Sequence, residues 1–144
     1  MEVRRATCTD LERIHGFYQN YSDHEAHYYR AGSASADAPT VPAVAEQGAR
    51  FLLDTQDGIV GLIHVEEVQT PTGKHAEIVD FIVAEAYRQK RAGSRLIDAA
   101  KTWARERGLK TMELFVPPEA KEKFYFCEEH KGFVSVADVL WCKL

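Results

Sequence analysis

Apolar residues along the chain fall into two rhythms, short near-continuous runs and a three-to-four-residue repeat, and the order of these blocks predicts the elements. Val3 to Ala6 reads as a short strand. Thr9 with Glu12 three residues later is a capping-box pattern opening the helix DLERIHGFYQNY, whose Leu11, Ile14, Phe17 and Tyr18 share one face. From Ser22 to Arg50 the pattern turns irregular, with a small, polar, proline-bearing loop and a short helix around Val41 to Gly48. FLLDT, IVGLIHVEEV and AEIVDFIV follow, separated by QDG and TPTGK, which predicts three strands in an antiparallel meander.

The rhythm then lengthens. Gly93 to Arg107 places Leu96, Ile97, Ala100, Trp103 and Ala104 on one helical face, with Gly108 as C-cap. TMELFV is the next strand, and the helical crossover before it predicts a parallel, right-handed pairing with AEIVDFIV. PPEAKEKFYFCEEHK reads as a helix opening on proline, and GFVSVADVLWCKL as a final strand or hairpin. The expected fold is α/β (α+β): a mixed, mostly antiparallel central sheet of six to seven strands with helices on both faces. Strands 4 and 5 form a parallel pair.

A length of 144 residues with 45% hydrophobic content fits one domain, 1–144. Apolar runs fall short of the ~20 residues that span a bilayer, and MEVRRATCTD lacks a hydrophobic signal core, so a cytoplasmic location without membrane association is expected. Cys8, Cys127 and Cys142 are an odd number without CxxC spacing, which predicts reduced thiols and no metal centre. His24 and His27 beside Glu25 are too few ligands to change that. A net charge of −4 argues against nucleic acid as a partner, although RQKR is a local cationic cluster.

That cluster carries the chemistry. A strand ending at Ala84 and a helix starting near Ala92 leave the helix's first N–H groups unpaired at the positive end of its dipole. Arg88, Lys90, Arg91 and Arg95 surround the same point, which suits a diphosphate, and Gly93 lets a ligand approach the backbone. The plainer reading is a solvated basic turn.

The run VAEAYRQKRAG, the helix LIDAAKTWARERGLK and the closing KGFV resemble the GNAT superfamily of acetyl-CoA-dependent N-acetyltransferases, whose phosphate loop reads R/Q-x-x-G-x-G/A. Arg91 stands where the first motif glycine is expected. The resemblance implies acetyl-CoA as cosubstrate in a cleft formed at the parallel strands 4 and 5, with Arg88, Gln89, Lys90, Arg91, Ala92, Gly93 and Ser94 at the pyrophosphate. Phe81, Ile82 and Val83 would meet the pantetheine arm through their backbone, as an added strand does. It also implies a primary amine as acceptor, on a small molecule or on a protein or peptide. A non-catalytic CoA-binding module on the same fold is the alternative. A homodimer through the last strand is possible on this pattern.

For the base, the resemblance points first to Glu77, which opens its strand eleven residues before Arg88. Alternation groups Glu77 with Val79, Phe81 and Val83 and puts Asp80 on the other face, so only one of the two acids faces the substrate unless a bulge intervenes. Asp80 is the second candidate, because a carboxylate inside IVDFIV is either partnered or functional. Tyr125 in KFYFCEEHKGF is the candidate acid for the leaving thiolate, with core packing an equal alternative.

Overall fold

The computed structural model describes residues 2–20, 48–116, 121–122, 124–136 and 142–143. Five strands and three α-helices are found there: β1 (Glu2–Arg5), α1 (Leu11–Asn20), β2 (Gly48–Thr55), β3 (Gly58–Thr70), β4 (Gly73–Val83), α2 (Ala92–Glu106), β5 (Met112–Leu114) and α3 (Tyr125–His130). The sheet runs in chain order, β1-β2-β3-β4-β5. The first four strands are antiparallel neighbours, and β4 and β5 are parallel. The meander follows from tight turns between Thr55 and Gly58 and between Thr70 and Gly73, where the glycines take φ of 99° and 135°. The β4 to β5 connection contains a helix because parallel neighbours need a crossover.

Alternation along β3 sorts the core into two faces. Gly61, Ile63 and Val65 look one way and Leu62, His64 and Glu66 the other. The first face carries α2, which approaches so closely at Gly61 that a Cβ there would lie 3.0 Å from Leu96 Cδ1. Leu96 and Ile97 are fully buried, each worth about 2 kcal/mol over an exposed position, so docking of α2 dominates that half of the core. The second face carries α1, whose Ile14, Phe17 and Tyr18 are buried.

Asp10 ties β1, β2 and α1 together. Its carboxylate is paired with Arg4 at 2.7 and 2.8 Å and accepts the Thr7 backbone N–H at 2.9 Å. Asp54 on β2 completes the network by accepting from Arg4 and Arg13. The guanidinium of Arg4, the Thr7 N–H and then the charge of Arg4 hold the Asp10 carboxyl well below the usual carboxylate range against the opposing effect of burial.

Several expectations change. The helix entry is set by Thr7 with Asp10 through a 3-10 turn over Cys8–Asp10, not by Thr9 with Glu12, because Arg4 draws Asp10 into place. The sheet has five strands among the described residues, not six to seven; residues 132–136 form no strand, and 137–141 lie outside the described residues. So do positions 21–47, which hold His24, Glu25, His27 and most of the loop and short helix expected before β2. The last helix is short, Tyr125–His130, with part of PPEAKEKF outside the described residues. Among the described residues no helix is long and apolar enough to cross a membrane.

Burial raises the Cys127 thiol to about 12, whereas Cys8 and Cys142 are exposed. Iodoacetamide treatment of the native protein should therefore modify Cys8 and Cys142 and spare Cys127, with the third adduct appearing in the mass spectrum only after denaturation. Native modification of Cys127 would show that the α3 region opens readily.

Candidate active site

The sheet forks beside β4. Strand β5 pairs with it only at Ala76, Glu77 and Ile78, so from Val79 to Val83 no strand of the described residues lies alongside on that edge. The Ala84 N–H bonds Val60 O across β3, and the two-residue alternation then turns the backbone of Ile82 toward β3 and that of Phe81 and Val83 toward the open edge. Arg88 uses part of that edge, donating from Nε to Val83 O at 3.1 Å.

A cleft of about 750 Å³ lies along the fork, lined by Phe81 and Val83 from β4, by Arg88, Gln89, Arg91, Ala92, Gly93 and Ser94 from the turn and the start of α2, and by Phe124, Phe126 and Lys131 from the segment that holds α3. Eight of the ten residues expected at a cofactor thus line one cavity. Ile82 does not: it is 1% exposed and its side chain belongs to the α1 face, with Leu62 as cross-strand partner. Lys90 does not either; its ammonium lies 5.5 Å from the Tyr87 ring centroid.

The turn is shaped to present donors. Gln89 and Arg91 both have positive φ, 61° and 63°, so the backbone reverses twice before α2 begins. The first N–H groups of α2 belong to Ala92, Gly93 and Ser94, and the side chain of the N-cap residue Arg91 does not cap them. Such alternation of conformations with converging N–H groups makes an anion-binding concavity. Arg91 in the left-handed region occupies the conformation that glycine adopts without cost, at about 1 kcal/mol of strain. Gly93 serves packing: a Cβ there would lie 3.1 Å from both the Phe81 and the Phe126 ring.

On the other face a bulge decides the placement of the acids. His64 pairs with Asp80 and Val65 with Ile78, so Val79 is the extra residue in β4. That insertion reverses the alternation and puts Glu77 and Asp80 on one face, the α1 side. They differ in environment. Asp80 is 4% exposed and accepts the Tyr18 hydroxyl at 2.7 Å; desolvation, then the charge of Asp80, push the Tyr18 phenol well above its ordinary range. Glu77 keeps an accessible carboxylate, 27% exposed, whose pKa is raised first by burial and then by the negative charge of Glu113. A carboxylate that is reachable and more basic than usual is a competent proton acceptor.

Tyr125 is 45% exposed and does not line the cleft; its neighbours Phe124 and Phe126 do. Phe124 and Cys127, three apart, are buried, and Phe126 packs against the Phe81 ring at a centroid distance of 6.3 Å. Sequence reasoning also passed over His75 and Glu113, which flank Glu77, although a histidine two residues before a glutamate on a strand shares its face.

Residues 8–133 match the model of the acetyltransferase (GNAT) family. Among solved structures, a tetramutant of the BH1408 protein from Bacillus halodurans superposes with a TM-score of 0.76 at 18% identity, covering 100% of both chains. The aminoglycoside N-acetyltransferase AAC(6')-Iy in complex with CoA gives 0.75 at 17% identity, covering 99% of this chain and 98% of that one. A ribosomal-protein-alanine N-acetyltransferase from Brucella melitensis biovar Abortus 2308 gives 0.72 at 15% identity, covering 99% and 96%. At these identities the likeness is one of fold. No protein among the curated ones matches the chain significantly in sequence.

Proposed function

The chain belongs to the acetyltransferase (GNAT) family, and on that premise we propose that it transfers the acetyl group of acetyl-CoA to a primary amine by direct attack within a ternary complex. The observation that carries this reading is the fork: a cleft with the N–H donors of the α2 N-terminus and cations at one end, an open β4 edge along it, and an accessible carboxylate on the far face beside β5.

Each part has a role. The N–H groups of Ala92, Gly93 and Ser94, with Arg88 and Arg91, hold the pyrophosphate of acetyl-CoA. The backbone of Phe81 and Val83 pairs with the amides of the pantetheine arm. An amine with a pKa near 10.4 pays about 4–5 kcal/mol to lose its proton at pH 7, and Glu77 offsets part of that by accepting the proton as the C–N bond forms. Asp80, held by Tyr18, supports the strand beside it. The departing thiolate, with a thiol pKa near 8.5, can take its proton from water, so Tyr125 outside the cleft is not needed.

Calorimetric titration with acetyl-CoA, CoA and dephospho-CoA tests the cleft, and thiol release across a panel of primary amines tests the reaction. Micromolar binding, roughly −8 kcal/mol, with turnover of at least one amine is expected. Binding without turnover would favour a non-catalytic CoA module, and no binding at millimolar cofactor would remove the reading altogether.

Arg91→Gly separates two effects at one position. Relief of the left-handed strain should raise stability by roughly 0.5–1 kcal/mol in thermal unfolding, while loss of the cation weakens acetyl-CoA binding several-fold. A fall in stability would mean that the Arg91 side chain contributes contacts that outweigh its backbone strain.

A further inference from the structure

The geometry points to a transition-metal site, suited to zinc, on the α1-side face of the sheet, with His75, Glu77 and Glu113 as its ligands. His75 and Glu77 are two apart on β4 and therefore share a face, and Glu113 stands beside Glu77 in the parallel pairing with β5. Two of the three ligands thus come from one strand and the third from its hydrogen-bonded neighbour, which is a rigid frame.

The spacing fits a tetrahedral ion. Zinc bonds of about 2.0–2.2 Å at tetrahedral angles put ligand atoms roughly 3.4 Å apart. His75 Nε2 lies 3.3 Å from Glu113 Oε2 and 3.8 Å from Glu77 Oε2, and one ligand atom from each residue falls within 4.8 Å of the others. Nε2 is closed to solvent and has no hydrogen-bond partner among the described residues, although it lies within 3.3 and 3.8 Å of two carboxylates. A donor set of one imidazole and two carboxylates favours zinc and its transition-metal neighbours over magnesium or calcium, which take oxygen ligands.

Charge and access agree with this. Glu77 and Glu113 stand side by side in the parallel register, so their like charges repel, and a divalent ion between them replaces that repulsion by attraction. Exposure rises from His75 at 14% through Glu77 at 27% to Glu113 at 66%, so the site is open on the Glu113 side and leaves a fourth position for water. Coordination requires neutral His75 and two ionised carboxylates, and no bond is broken. Because Glu77 is also the base proposed above, bound zinc would compete with the amine; this consequence rests on that proposal, whereas the binding itself does not.

Calorimetry of the full chain, stripped with a chelator and titrated with zinc chloride near neutral pH, tests the site without reference to turnover. One saturable site of roughly micromolar affinity is expected, with no comparable heat from magnesium chloride. His75→Ala and Glu113→Gln should each weaken zinc binding by about tenfold or more while leaving the far-ultraviolet circular dichroism unchanged. No saturable heat at millimolar zinc would overturn the site, as would zinc binding that survives both substitutions. Should a variant fail to fold, cobalt(II) added to the unsubstituted protein decides the matter: visible bands of a tetrahedral nitrogen and oxygen site support the assignment, and a thiolate charge-transfer band refutes it.

Discussion

Glu77→Gln should lower kcat by about 10²–10⁴-fold at saturating acetyl-CoA and amine, with acetyl-CoA affinity unchanged in calorimetry. The amide keeps the size and hydrogen-bonding reach of the side chain but cannot take a proton, so only the step that needs a base is lost. Affinity should hold because the phosphate end of the cleft lies at the start of α2, on the other face of the sheet. The pH dependence supplies a second readout. Burial and the charge of Glu113 raise the Glu77 pKa, and a base with a raised pKa loses its active, ionised form as pH falls through that raised value. The acidic limb of kcat should therefore lie above the usual glutamate range and disappear in Glu77→Gln. Unchanged turnover would remove Glu77 from the mechanism. Asp80→Asn makes a useful comparison, since Asp80 is spoken for by Tyr18: its main effect should be on thermal stability, and a loss of turnover in a variant that unfolds normally would transfer the base role to Asp80.

Asp10→Ala should cost about 3 kcal/mol, which for a domain of this size lowers the thermal midpoint by roughly 10 °C. The carboxylate is 6% exposed, and its removal leaves the Arg4 guanidinium short of one partner and the first turn short of a cap. Two strands and a helix lose their common anchor at once. The linkage with pH has a definite sign: a carboxyl held below its unfolded pKa contributes stability above about pH 4, and that contribution fades as pH falls toward the folded value. The stability difference between the native chain and Asp10→Ala should accordingly be full at neutral pH and shrink below about pH 4. A variant with an unchanged midpoint would mean that Arg4 and Asp54 hold the corner without Asp10.

Some of the site was legible because its determinants are local. A strand, a basic turn and an amphipathic helix follow one another within about thirty residues, so the positions of Arg88, Arg91 and the α2 N-terminus could be read directly from spacing. The two hairpin turns and the face of α2 were equally local, carried by Gly58, Gly73 and the repeat from Leu96 to Ala104. The placement of Glu77 relative to Asp80 was not legible, because strict alternation assigns them opposite faces and only pairing with β3 reveals the extra residue at Val79. Tyr125 is a similar case: FYF offers three aromatic rings in a row, and the phase of a six-residue helix against the Phe81 ring selects Phe124 and Phe126 for the cleft.

The sequence by itself determined the order of the described elements from β1 to β5, the meander, the parallel crossover and the donor-rich turn, since each follows from residue periodicity, glycine placement and charge within one or two neighbouring segments. Tertiary structure alone decided where the sheet forks, which acids share a face and that His75 and Glu113 stand against Glu77. The physical reason is that a bulge and a strand's end are properties of a pair of strands: hydrogen bonds between residues far apart in the chain set the register, and the register aims the side chains.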